Sequence, residues 1–171
     1  MILGLDLSSS CTGYGILDTE GKVVGFGQIR PPAKLDHGNK YLHIIHAVRS
    51  LLIGHNITEV VLERYFVGGF KTQGTFICAE LRGAVLCTLA QYFPDVDIVE
   101  QIFPSTLKKT VTGNGRAIKR EVCECILAKL NIKYDELLGT KKARFKIDGV
   151  TYYDDVADGL SLAYCHYLKG V

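Results

Sequence analysis

The stretch Ile2-Leu3-Gly4-Leu5-Asp6-Leu7 constrains this chain more than any other. Its near-continuous apolar run is the pattern of a strand covered on both faces, which only a sheet packed between two layers provides. A lone carboxylate, Asp6, sits near its carboxyl end. A charge there is costly to desolvate unless it is paired, protonated or bound to a cation. Ser8, Ser9 and Ser10 follow, and then a Gly-containing turn into a second strand. Asp6 reads either as a cap on that turn or as a metal-binding acid presented by a central strand.

The rest of the chain predicts an α/β fold. Strands over 13–17 and 22–28 complete a three-stranded antiparallel meander with the first. A helix over 39–55 follows, mixing Leu42, Ile45, Val48, Leu52 and Ile53 at helical spacing and ending at Gly54. Val60-Val61-Leu62-Glu63 is a second buried strand closed by an acid. A helix is expected over 76–92, a short strand over 97–101, a helix from Pro104 to position 111 broken by Gly113-Asn114-Gly115, and helices over 119–130 and 154–168. The segment 133–150 has no clear periodicity. With no repeat or linker, all 171 residues are expected to form one mixed-sheet domain flanked by helices.

Net charge is only +2, so overall basicity signals no partner; its distribution does. Between Lys108 and Lys146 eleven cations face four acids, a pattern of either solvated helix faces or a polyanion footprint. The six cysteines form no CxxC pair and no secretory signal precedes the first strand, which points to reduced thiols in a cytoplasmic protein. His43 and His46 lack an evident third metal ligand.

The acids form a set. Asp6 and Glu63 end apolar strands of the same polarity, and α/β sheets gather their sites at the carboxyl ends of strands. Asp155 and Asp158, three apart on the last helix, share a face. Four converging carboxylates need a cation, and all-oxygen ligation suits Mg²⁺ or Mn²⁺. Such a cluster fits two-metal phosphodiester hydrolysis. Asp154 is well explained as a helix cap.

These motifs resemble those of the RuvC-type Holliday junction resolvases. The acidic ones are Gly4-Leu5-Asp6-Leu7-Ser8, Leu62-Glu63-Arg64-Tyr65-Phe66 and Asp155-Val156-Ala157-Asp158-Gly159. Leu107-Lys108-Lys109-Thr110-Val111-Thr112-Gly113-Asn114-Gly115-Arg116-Ala117-Ile118-Lys119 is similar to the family's basic motif and is the most specific of the matches. The resemblance implies a ribonuclease H-like fold and a homodimer that nicks a four-way DNA junction symmetrically. By position it implies Asp6, Glu63, Asp155 and Asp158 as ligands of two Mg²⁺ ions, and Lys108 and Lys119 near the scissile phosphate. Phe66 matches an aromatic that stacks on a base, while Lys71, Lys109 and Arg116 are expected on DNA. The helix carrying Gly83 and Ala84 resembles the family's dimerisation helix, and a branch-migration helicase is implied as a partner. The segment 134–153 is longer and more basic than is usual in the family, as either an added DNA-binding hairpin or a solvated insertion; a phage-borne origin would fit such drift. Two other functions compete: cutting of branched DNA or RNA–DNA hybrids more broadly, and junction binding without catalysis.

Overall fold

A computed structural model describes residues 1–64 and 73–170, with Glu100 and Gln101 described by backbone alone. The central sheet has five strands in the order β3-β2-β1-β4-β5. Strands β1 (Ile2–Asp6), β2 (Thr12–Leu17) and β3 (Val23–Ile29) are the antiparallel meander; β4 (Glu59–Glu63) and β5 (Asp97–Ile102) run parallel to β1. The mixed, ribonuclease H-like sheet expected from the sequence is therefore present.

Helices cover both faces. Leu3, Leu5, Val60 and Leu62 pack against α1 (His37–His55) and α2 (Gln73–Tyr92). Ile2, Val61 and Ile102 face the other way, onto α3 (Pro104–Thr112), α4 (Lys119–Lys129) and α5 (Asp154–Gly170). Strand side chains alternate between faces with a period of two. Asp6 shares parity with Ile2, and Glu63 with Val61, so both acids belong to the α5 face. Leu5 pairs with Leu62 in the β1–β4 register, which makes Asp6 and Glu63 neighbours one step further on.

Helix α5 lies unusually close to the sheet because glycines line its bed. A Cβ on Gly4 would stand 2.6 Å from the Ala163 nitrogen, and one on Gly15 2.6 Å from the Leu160 Cα. Gly13 backs onto the Asp155 backbone in the same way. Real Cβ contacts are longer than this, so any side chain at these positions would lift the helix that carries Asp155 and Asp158.

Two local expectations are corrected. In α1 the buried stripe is Ile44, Val48 and Leu52, whereas Leu42 and Ile53 are 51% and 69% exposed. The helix runs through Gly54 and closes on Asn56, whose φ of 48° gives the left-handed cap that a short polar residue tolerates. Segment 133–150 is also more ordered than its sequence suggests. It holds β6 (Glu136–Leu138) and β7 (Arg144–Ile147), which with β8 (Val150–Tyr153) form a second, antiparallel sheet.

That small sheet is anchored to the main body. Phe145 is fully buried and stacks on Tyr152, which meets Phe26 of β3 edge-on, both centroid pairs 5.4 Å apart. The Gln28 side chain donates to the Thr151 carbonyl at 3.1 Å and accepts from the Tyr153 N–H at 3.2 Å. Strand β8 runs into α5 with no linker, and the Asp154 N–H donates to the Ala143 carbonyl at 3.0 Å. Among the described residues no helix is long and apolar enough to cross a membrane.

Candidate active site

Asp6, Glu63, Lys108, Lys119 and Asp158 line one cavity of about 260 Å³, floored by Pro104, Leu107 and Leu162. Five elements meet there. Strands β1 and β4 supply the first two acids, and α5 supplies Asp158. Helix α3 begins with Pro104, whose fixed φ suits a first turn, and carries Lys108; Gly113 closes it in the left-handed conformation. Helix α4 begins at Lys119, where Glu121 reaches back to accept from the Ile118 N–H at 2.9 Å.

The charges explain one another. Lys119 bonds Asp158 and stands 3.3 Å from Asp154. Burial raises the Asp6 carboxyl well above its usual range; Asp158 adds to this and Lys119 opposes it. Glu63 is raised by burial and by Asp158, against the pull of Lys119. Asp158 is raised because burial and the neighbouring Asp154 and Asp155 outweigh the attraction of Lys119. Burial alone would depress the Lys119 ammonium, but Asp158, Asp6 and Asp154 together hold it above the lysine range. Lys119 thus acts on Asp6, Glu63, Asp155 and Asp158 alike, with Lys108 and Arg82 adding to it at Glu63, and burial still outweighs this positive charge at every one of the four acids.

Asp155 lies one turn before Asp158 and lines an adjoining cleft with Ser10, Cys11 and Asp154. Its carboxyl is raised by burial and by Asp154, and the Cys11 thiol beside it is pushed up to about 12, chiefly by burial. On the Glu63 side, a cavity of about 340 Å³ is lined by Asp6, Glu63, Arg64 and Arg82. Arg82 of α2 donates to the Glu63 carbonyl at 2.9 Å, and Arg64 lies 4.8 Å from the centre of the Phe103 ring.

The structure thus draws Asp6, Glu63, Asp158, Lys108 and Lys119 around one cavity, whereas Asp155 does not line it and faces the separate cleft beside Cys11. Lys109 and Arg116 are exposed and do not line it, while Phe66 and Lys71 fall outside the described residues. Nothing in the sequence pattern singles out Arg82 or Cys11, and the capping account of Asp154 omits its contact with Lys119. His43 and His46 are exposed on α1.

The donor set fits a divalent cation in kind: all oxygen, partly buried, and rich in unneutralised negative charge. Among the described residues, no three acidic, His or Cys side chains stand close enough to share one ion without side-chain movement. Fold and site together define a nuclease of the ribonuclease H-like class.

The family profile described as "Crossover junction endodeoxyribonuclease RuvC" matches residues 2–166. The chain belongs to this family, whose members are metal-dependent nucleases. It is similar to the RuvC of Sphingopyxis alaskensis, being 33% identical over 169 residues, 97% of this chain and 96% of that protein. In fold it is similar to Thermus thermophilus RuvC, with TM-score 0.73 and 18% identity over 99% of this chain and 94% of the other. The T. thermophilus RuvC in complex with Holliday junction substrate gives TM-score 0.74 at 15% identity, covering 99% and 93% of the two chains.

Proposed function

We propose that this chain resolves four-way DNA junctions by symmetric phosphodiester hydrolysis, with Asp6, Glu63, Asp155 and Asp158 holding two Mg²⁺ ions, or Mn²⁺ in their place. The observation that carries this reading is the gathering of Asp6, Glu63 and Asp158 with Lys108 and Lys119 around one cavity, in a chain of the RuvC family. Bound ions would activate water for in-line attack and stabilise the leaving 3′-oxygen. Lys108, half-buried on the cavity wall, supplies fixed positive charge where a phosphate enters. Lys119 holds Asp158 and Asp154 until a cation displaces it, keeping the acids folded in without one. Arg82, bonded to the Glu63 carbonyl, fixes the end of β4.

Symmetric cutting requires two copies. The outward face of α2 suits a second one: Phe76 is 55% exposed, Cys87 is exposed, and a Cβ on Gly83 would meet nothing within 4 Å. A branch-migration helicase as partner and a cytoplasmic setting belong to the same reading.

The test is end-labelled four-way junction, linear duplex and RNA–DNA hybrid, each with Mg²⁺ or EDTA. Paired symmetric nicks in the junction alone, lost in EDTA, are expected; Asp6→Asn should bind the junction and leave it uncut. Mg²⁺ at 100 times its Kd should stabilise the wild type by about 2.7 kcal/mol, and Asp6→Asn by far less. Equal cutting of hybrid or duplex, or wild-type cutting by Asp6→Asn, would refute the assignment.

A further inference from the structure

The small sheet does more than fill space before α5. It builds one wall of a cleft of about 520 Å³ whose lining includes Arg30, Lys142, Arg144, Tyr153, Asp154 and Asp155. The three cations come from separate places: Arg30 directly follows β3, Lys142 lies in the β6–β7 turn, and Arg144 opens β7. All three are exposed, and none is ion-paired with a carboxylate among the described residues. The Arg30 guanidinium is held 4.5 Å from the centre of the Tyr153 ring, which fixes its place on the wall.

Three unpaired cations on one wall repel one another. A flexible insertion would relieve that by swinging away, but this one is pinned by Phe145, by Gln28, and by the Arg120 N–H on the Thr140 carbonyl at 3.3 Å. The positive charge is therefore held in place, as binding an anion requires. Asp154 and Asp155 on the adjacent wall would repel that anion, yet Asp154 is already engaged by Lys119. Position identifies the anion. Lys108 and Lys119 line the cavity on the Asp158 side of the acids, and this cleft opens on the Asp155 side.

We infer that the Arg30–Lys142–Arg144 cleft is a second DNA-backbone subsite, receiving phosphates of the cleaved strand next to the one being hydrolysed. It rests on the proposed nuclease reading and adds a binding surface to it. The subsite holds the strand through charge and reads no base. It binds and takes no part in the chemistry.

The experiment compares wild type, R30Q/K142Q/R144Q, and K34Q/K129Q/K133Q, which removes the same charge outside the cleft. Junction and duplex affinities are measured in EDTA from about 50 to 200 mM salt. The cleft variant should keep the wild-type melting temperature and lose roughly 2 to 3 from the slope of log Kd against log salt, with affinity at least about tenfold weaker. The other triple variant should keep its slope. An unchanged slope in the cleft variant, or an equal loss in both variants, overturns the subsite. A wild type that binds but never cuts with Mg²⁺ overturns the nuclease reading, while the slope still reports on the cleft.

Discussion

Gly15→Ala tests whether the close bed of α5 sets the active site. The new Cβ would lie 2.6, 2.7 and 2.8 Å from Leu160 Cα, Cδ2 and Cγ. The leucine tip can rotate, but its Cα cannot, so ordinary contact near 3.4 Å requires α5 to rise by about 0.8 Å. Two effects compete. Replacing a strand glycine relieves roughly 0.5–1 kcal/mol of backbone entropy cost. Overpacking costs about 1–3 kcal/mol, and it wins here because backbone must move. The net loss of about 1–2 kcal/mol should lower the melting temperature by roughly 2–8 °C. The same rise carries Asp155 and Asp158 away from Asp6, and a misplacement of about 1 Å can cost a hundredfold in rate, so cutting should slow about ten- to a hundredfold. Scanning calorimetry and single-turnover junction cleavage read the two effects. Gly25→Ala is the control, since its Cβ would come no nearer than 3.8 Å, to Ile16 Cδ1. If Gly15→Ala matched this control in both assays, the reasoning would be wrong. A lower melting temperature with an unchanged rate would separate packing from positioning and refute the second half.

Two further outcomes follow from the same geometry. The raised Asp6 carboxyl adds stability that is complete below its unfolded pKa and lost as pH rises through its higher folded one. Asp6→Asn in EDTA should therefore melt higher than wild type at neutral pH, by an amount that shrinks towards zero on acidification; a constant difference would refute it. Phe145→Ala empties the anchor of the small sheet and should cost about 3–5 kcal/mol, a drop of roughly 6–20 °C by thermal melt. A drop of a degree or two would mean the sheet is not held as described.

The sheet and its acids were legible because buried strands announce themselves: Leu3, Leu5, Val60 and Leu62 leave little choice, and a carboxylate ending each run stands out. Helix faces were less legible. Leu42 and Ile53 are as apolar as Ile44, and only the tertiary partner decides that Ile44 is inside. The small sheet was opaque because Phe145 is the one fully buried residue of its three strands and stands among charged neighbours, without a long alternating run. Nor does sequence spacing reveal that Arg30 stands beside Arg144, because Tyr153 and Gln28 join distant stretches.

The direct junction of β8 and α5 makes the reading frame of the fold fragile at one peptide bond. An α-helix advances about 100° per residue. One residue inserted between Tyr153 and Asp154 would, with the strand pairing kept, turn Asp155 and Asp158 by that angle away from the sheet. The same insertion in the β7–β8 turn would be absorbed by the turn itself. Length changes in lineages of this chain should therefore accumulate upstream of Tyr153 and stop there.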